Sequence, residues 1–191
     1  MKKIAITGGI ATGKTTLLNI LKDLGFKTFS CDQVVKKLYQ REDVQKRAKE
    51  LLGEDVFSLT KPDLLKILKL ITEDDAKRKK LEEILHPLVK AELNRFLKEC
   101  EEKGEKVVFV EVPLLFEVNW DKEFDEVWVV WCSEATQEKR ILERGETAPY
   151  LLKLKTKQIP IEKKAKLAHK TFSSEKPIST LKKEVLNALK N

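Results

Sequence analysis

A glycine-framed segment near the start of the sequence, Gly8-Gly9-Ile10-Ala11-Thr12-Gly13-Lys14-Thr15, satisfies the pattern G-x-x-x-x-G-K-S/T. The four residues between the glycines let the backbone curl, so that successive N–H groups point at a bound anion. Lys14 can then reach the β- and γ-phosphates of a nucleotide, and the Thr15 hydroxyl can coordinate Mg²⁺. The residues expected to surround the phosphates are Gly9, Ala11, Thr12, Gly13, Lys14, Thr15 and Thr16. The segment therefore predicts a nucleotide-binding phosphate loop.

The elements on either side of this loop fit such a role. The preceding "KIAIT" is a short apolar run rich in β-branched residues, which predicts a buried strand. After Lys14, leucines recur at helical spacing up to Leu24, and Gly25 stands where a helix ends. A helix that begins at the loop directs its N-terminal donors and the positive end of its dipole toward the phosphates.

The rest of the chain alternates strands with helices, which predicts an α/β fold with an open, mainly parallel sheet. Continuous apolar runs such as "KVVFVEV" and "DEVWVVWC" are typical of strands that are covered on both faces. We count five strands, in a core of about residues 1–40, 104–144 and 163–191. A helical insertion spans about 41–103. A segment at about 145–162, with two prolines and closely spaced lysines, is expected to be mobile and to act as a lid.

Composition narrows the classes of function. Charged residues make up 36% of the chain and leave a net charge of +7, which suits nucleic acid, an anionic membrane or a polyphosphate substrate. No apolar stretch is long enough to span a bilayer, and the start of the sequence predicts no signal peptide. Three cysteines without metal-ligand spacing favour a reducing cytoplasm.

The phosphate loop alone does not decide between GTPases, ATPases and small-molecule kinases. The Asn-Lys dipeptide of the guanine-reading N-K-x-D motif is absent, which disfavours a GTPase. An ATPase that handles nucleic acid usually needs more chain than this one offers. The helical insertion and the basic segment after Arg144 favour a kinase, because a kinase needs an acceptor site and a lid that excludes water.

Asp32 is the candidate for acid–base chemistry in such a kinase. It lies at the carboxyl end of the second predicted strand, at the sheet edge where open α/β sheets bind ligands. A carboxylate there can accept the proton of an acceptor hydroxyl. The position equally suits a helix N-cap, and the residue type and place do not separate the two roles.

Several fragments together resemble the dephospho-CoA kinase family, in order and spacing from Ile4 to about Ala168. They are "TGGIATGKTT", "SCDQVVKKL", "HPLV", "VEVPLLFE", "TQEKRILER" and "QIP" with a downstream lysine. The resemblance implies a P-loop NTPase-type three-layer fold with a five-stranded parallel sheet, a helical substrate domain and a lid. It also implies transfer of the ATP γ-phosphate, with Mg²⁺, to the 3′-hydroxyl of dephospho-CoA, the last step of coenzyme A synthesis. A nucleoside-monophosphate kinase and a nucleic-acid-associated ATPase remain the alternatives.

The resemblance also assigns roles. Asp32 takes the role of the base, and Lys14 and Arg140 join it as catalytic residues. Arg144 is expected to bind ATP. His86 and Glu111 are expected to contact the acceptor together with Asp32, although His86-Pro87 also fits a helix break and Glu111 also fits a solvated strand end. The expected partners are ATP and dephospho-CoA, without nucleic acid or membrane, for a monomer or weak homo-oligomer.

The chain departs from the family pattern at four places. Ala11 replaces a usual glycine, and we expect its φ to be negative because alanine tolerates positive φ poorly. Ser30-Cys31-Asp32 lacks the first carboxylate of D-A-D. Leu154, between Lys153 and Lys155, stands where the family has a lid arginine. Ala168-His169-Lys170…Ser173 replaces a pattern whose following residues often help to hold adenine.

Overall fold

A computed structural model describes residues 1–58 and 61–191. Five of its strands form one parallel sheet in the order β2-β5-β1-β6-β7, and β3 and β4 pair as a small antiparallel hairpin. The strands are β1 (Lys2–Gly8), β2 (Lys27–Ser30), β3 (Phe57–Ser58), β4 (Lys61–Pro62), β5 (Val107–Glu111), β6 (Glu126–Trp131) and β7 (Lys170–Ser173). The predicted α/β fold with a five-stranded parallel sheet is confirmed.

Helices cover both faces of this sheet. They are α1 (Lys14–Asp23), α2 (Cys31–Leu38), α3 (Glu42–Leu52), α4 (Leu64–Glu73), α5 (Asp75–Glu102), α6 (Glu134–Leu142), α7 (Ala148–Lys155), α8 (Ile161–Leu167) and α9 (Ile178–Lys190). Short 3₁₀ turns lie at Glu54–Val56, Asp121–Glu123 and Gly145–Thr147. Because the sheet strands run parallel, their carboxyl ends meet at one edge, where the phosphate loop follows β1.

Two apolar clusters fill the spaces between the three layers. On one face, α1 and α9 contribute Leu17, Leu21 and Leu181, which pack with Ile6 and Trp128 of the sheet. The other cluster joins the opposite face of the sheet to α2, α3 and α5. Alternate residues of the central strands enter different clusters, which explains why those strands read as continuous apolar runs.

The 41–103 insertion is helical, as expected, apart from the hairpin of β3 and β4, which the apolar pattern did not predict. His86-Pro87 does not break a helix, because α5 runs without interruption for 28 residues with Pro87 inside it. The helix-break interpretation of this dipeptide was therefore wrong.

The 145–162 segment is largely helical rather than irregular. It contains the 3₁₀ turn Gly145–Thr147 and helix α7, with Pro149 in the first turn of α7. Pro160 is the N-cap residue of α8. The two prolines on which the prediction of a mobile segment rested thus start helices, where a missing N–H costs nothing because those donors have no partner within the helix.

Across residues 1–58 and 61–191, no helix combines the length and the apolar character that a membrane crossing requires.

Candidate active site

The phosphate loop is shaped by its glycines and by Thr12. Gly13 adopts φ 107°, and a Cβ there would lie 2.7 Å from the Cβ of Ser174. A Cβ at Gly8 would lie 2.5 Å from the Val130 carbonyl oxygen. The buried Thr12 hydroxyl donates to the Gly9 carbonyl (2.9 Å) and accepts from the Gly9 N–H (3.0 Å). The loop is therefore held in shape by its own contacts.

Ala11 has φ 59°, which contradicts the expected negative value. The residue occupies the left-handed region that the family's usual glycine enters freely. For an L-residue with a Cβ, this conformation costs about 1–2 kcal/mol. The loop therefore keeps the backbone conformation of the phosphate-loop motif, although residue 11 carries a Cβ.

Lys14 and Thr15 open α1 at the floor of the site. The Lys14 ammonium donates to the Gly9 carbonyl oxygen at 2.6 Å and so lies against the loop. Burial lowers the pKa of Lys14, and the nearby charges of Asp32 and Glu111 oppose that shift. Thr15 is exposed, with its side chain on the wall of the adjoining cavity.

A cavity of about 690 Å³ opens above the loop and collects most of the predicted nucleotide residues. Its wall includes Ala11, Gly13, Lys14, Thr15, Thr16, Asp32, Arg140 and Arg144. Residues that follow β7 also line it, among them Ser174, Lys176 and Ile178. The volume lies in the range of small-molecule sites. The predicted residues Gly9 and Thr12 do not line this cavity but shape the loop through their hydrogen bonds to each other.

Helix α6 holds the loop from the side through two residues. Arg140 donates to the Ala11 carbonyl (3.2 Å), to the Ser174 hydroxyl (2.8 Å) and to the Ser174 carbonyl (3.1 Å). The buried Gln137 amide donates to the Ile10 carbonyl at 2.8 Å. Sequence reasoning did not single out Gln137, because a glutamine on a helix carries no sign of its partner 127 residues away.

Asp32 faces two cavities at once, and it does not cap α2. The N-cap is Ser30, whose hydroxyl accepts the N–H of Gln33 at 3.3 Å, so the N-cap interpretation of Asp32 was wrong. The exposed Asp32 lines the nucleotide cavity and also a second cavity of about 120 Å³. Pro113 is the other residue that lines both.

The second cavity is mainly apolar and contains His86. The residues that line it are Cys31, Asp32, Val35, His86, Val89, Val112, Pro113, Leu114, Val118 and Trp120. The imidazole of His86 packs edge-on against Trp120, with ring centroids 6.0 Å apart. Burial lowers the pKa of His86, partly opposed by Glu82. His86 thus lies with Asp32 at the second cavity and away from the phosphate loop.

Glu111 lies under the site and is only 2% exposed, so it is not a solvated strand end. It pairs in register with Ser30 of β2, and the Ser30 hydroxyl donates to its Oε1 at 3.4 Å. Burial raises the pKa of Glu111, the neighbouring Asp32 charge raises it further, and Lys14 opposes both. Glu111 thus places a carboxyl group next to Ser30, the position at which the family has the first carboxylate of D-A-D.

Oxygen donors suited to a hard divalent cation are present at the floor of the cavity. Mg²⁺ is usually held by one or two protein oxygens together with substrate phosphates and water. The exposed Thr15 hydroxyl and the Asp32 carboxylate line the same cavity and fit that donor set. In the described part of the chain, no group of three His, Cys, Asp or Glu side chains forms a metal cage.

The structure shows what the residues at two departures from the family pattern contact. Leu154 lines the nucleotide cavity in place of an arginine. Lys155 does not replace that arginine's charge there, because its ammonium pairs with Glu134 (2.9 Å) and Glu138 (3.3 Å) of α6. His169 accepts the N–H of Val127 through Nδ1 at 3.0 Å, which joins the start of β7 to β6.

Comparisons with known proteins show which family this chain belongs to. The family model described as dephospho-CoA kinase matches residues 2–179. The chain belongs to the dephospho-CoA kinase family. It is therefore a kinase, an enzyme of the transferase class.

Individual relatives extend over nearly the whole chain. The dephospho-CoA kinase of Rickettsia typhi is 35% identical over 193 residues, which cover 100% of this chain and 97% of the relative. The crystal structure of TT1252 from Thermus thermophilus is 28% identical and superposes with a TM-score of 0.75 over 98% of this chain and 97% of its own. The dephospho-CoA kinase from Campylobacter jejuni is 26% identical, with a TM-score of 0.70 over 100% and 96%. These matches favour neither a nucleoside-monophosphate kinase nor a nucleic-acid ATPase.

Proposed function

We propose that this kinase transfers the γ-phosphate of ATP to the 3′-hydroxyl of dephospho-CoA, which gives coenzyme A and ADP. The observation that carries the proposal is the place of Asp32, on the wall shared by the nucleotide cavity and the smaller apolar cavity. In phosphoryl transfer, a carboxylate that lies between the two substrates can take the proton of the acceptor hydroxyl as that oxygen attacks the phosphorus in line with the leaving oxygen.

In the proposed reaction, ATP lies in the larger cavity with its phosphates on the loop. The N–H groups of the loop and of the first turn of α1 donate to the phosphate oxygens. Lys14, now hydrogen-bonded to the Gly9 carbonyl, moves to the β- and γ-phosphates when they displace that contact. Arg144, exposed at the rim, neutralises charge that develops on the transferred group.

The acceptor ribose lies beside the apolar cavity, next to His86. Asp32 accepts the proton of the 3′-hydroxyl as that oxygen attacks the γ-phosphorus, and ADP leaves on the opposite side. Glu111 supports Asp32 from below. The predicted catalytic role of Arg140 is better described as support, since its guanidinium already holds Ala11 and Ser174.

Mg²⁺ is the divalent cation that we propose for this site, with the Thr15 hydroxyl as its protein ligand. When bound with ATP, it neutralises phosphate charge and helps to orient the triphosphate.

The division of the chain is part of the proposal. The core of about 1–40, 104–144 and 163–191 carries the loop, and the 41–103 insertion supplies His86 to the acceptor site. Residues 145–162 form the lid. Three unpaired cysteines, all buried, suit a reducing cytoplasm. We expect a monomer or weak homo-oligomer that acts on small molecules, without nucleic acid or membrane.

Asp32→Asn tests the proposed base. The amide keeps the size of the side chain and cannot take a proton, so kcat with dephospho-CoA should fall by roughly 10²–10⁴ while the KM for ATP changes little. Steady-state kinetics measure both. Asp23→Asn, exposed at the end of α1, is the matched control and should keep full turnover. Near-normal turnover by Asp32→Asn removes Asp32 from the role of base.

A further inference from the structure

Lys164 of α8 is a lysine with none of its surface exposed, although neighbouring lysines such as Lys163 and Lys166 are exposed. Its ammonium donates to the carbonyl oxygens of Gly8 (2.9 Å) and Pro113 (3.1 Å) and pairs with Glu117 Oε2 at 3.0 Å. Three oxygens, one from the end of β1 and two from the connection after β5, thus meet at one cation. Burial lowers the pKa of Lys164, and the Glu117 carboxylate opposes that shift.

The two carbonyls belong to the parts of the site that must be aligned. Gly8 is the last residue of β1 and the first residue of the phosphate loop. Pro113 lines both cavities, so it forms part of the wall between donor and acceptor. A group that holds both carbonyls fixes the distance between the phosphate loop and that wall.

Glu117 connects the same cation to the lid segment. Its Oε2 also accepts the backbone N–H of Ile159 at 3.2 Å, two residues before α8 begins. The end of the 145–162 segment, the phosphate loop and the Pro113 turn are therefore joined through one buried ion pair.

We propose that Lys164, with Glu117 as its counter-charge, is a positioning residue that holds the phosphate loop and the Pro113 turn in register for in-line phosphoryl transfer. The inference rests on the proposed function, because it concerns the alignment of donor and acceptor in that reaction. The ammonium touches backbone oxygens that sit behind the substrates, so it acts through them. A misplacement of about 1 Å between reacting groups can cost roughly 10²-fold in rate.

The stability of two variants separates a structural role of this ion pair from a role in catalysis. Removing one partner of a buried ion pair is strongly destabilising, whereas replacing both partners by apolar side chains of similar size is often neutral. Lys164→Met should therefore lower Tm by about 10 °C, and Lys164→Met combined with Glu117→Leu should regain part of that loss, because the unpaired Glu117 charge is removed while the Gly8 and Pro113 carbonyls and the Ile159 N–H lose their partners. We expect the double variant to fold, although its residue 164 no longer donates to the carbonyl oxygens of Gly8 and Pro113.

The test compares Tm, kcat and both KM values for the wild type, the single and the double variant, with the exposed Lys163→Met as control. We expect the double variant to regain part of the lost Tm while its kcat stays lower by about 10- to 100-fold, with each KM within about threefold of the wild type. The control should match the wild type throughout.

A double variant that regains kcat together with Tm overturns the inference, since the ion pair is then only a structural contact. A loss confined to KM overturns it as well, since Lys164 then affects binding rather than alignment. A wild-type enzyme that forms no coenzyme A from dephospho-CoA overturns the proposed function, and this inference with it.

Discussion

At the residue scale, Ala11 is the point where the phosphate loop carries strain. Its φ of 59° is one that glycine adopts freely. Ala11→Gly relieves this strain but makes the unfolded chain more flexible, so we expect a net gain of about 0.5 kcal/mol in the free energy of unfolding. Chemical denaturation measures the difference.

Ala91→Gly is the matched control for Ala11→Gly. Ala91 is exposed within α5, where glycine should destabilise the protein by about 1 kcal/mol. The two substitutions are chemically identical, and opposite signs are expected because only Ala11 has a positive φ. If both variants lose the same stability, Ala11 is not strained.

Glu111 gives the protein a pH dependence of stability with a definite sign. Burial and Asp32 raise its pKa above the ordinary 4.5 in the folded state, so the folded protein binds more protons than the unfolded chain above that pH. The stability contributed by this proton is fully present below pH 4.5 and is lost as pH rises through the raised pKa. Glu111→Gln removes the titrating carboxyl group and with it this loss of stability at higher pH. The amide oxygen of the glutamine can still accept from Ser30, and its NH2 group can donate to Asp32.

We therefore expect Glu111→Gln to unfold at a higher temperature than the wild type at pH 7 and at nearly the same temperature near pH 4. Thermal unfolding across that range, with the exposed Glu102→Gln as control, provides the measurement. A difference in Tm that does not change with pH contradicts the assigned direction of the pKa shift.

At the scale of elements, α6 clamps the phosphate loop to the residues that follow β7. Arg140 makes three hydrogen bonds across this junction, and lysine cannot reproduce that fork of donors. Arg140→Lys should lower kcat/KM for ATP by about 10- to 100-fold. Lys139→Ala, on the exposed side of the same helix, should leave it unchanged.

Kinetics at varied ATP concentration test this clamp. An unchanged kcat/KM for ATP in Arg140→Lys shows that the junction does not depend on the guanidinium.

The secondary-structure elements also show how much of this structure can be predicted from the sequence. The five strands of the parallel sheet and the phosphate loop were predicted because apolar runs and glycine spacing are local features. Helix α7 was missed because Pro149 sits in its first turn, where proline favours a helix instead of interrupting it. The roles of Gln137 and Lys164 were not predicted, because their partners lie far away in the chain and no spacing encodes them.

At the scale of the whole molecule, the insertion and the proposed lid segment contact each other directly. Helix α4 of the insertion contacts α7, and Lys157 pairs with Asp75 at 3.2 Å. This contact places the proposed lid beside the proposed acceptor domain. The parts fit a kinase that closes over two substrates and excludes water.

The most direct test of the proposed function is to incubate the protein with Mg²⁺ and ATP and, in turn, dephospho-CoA, AMP, CMP, UMP or no acceptor. A coupled assay follows ADP, and mass spectrometry identifies the product. We predict ADP formation that depends on dephospho-CoA, with a product at the mass of coenzyme A. Turnover only with a nucleoside monophosphate, or ADP release that needs no acceptor, would contradict the proposed function.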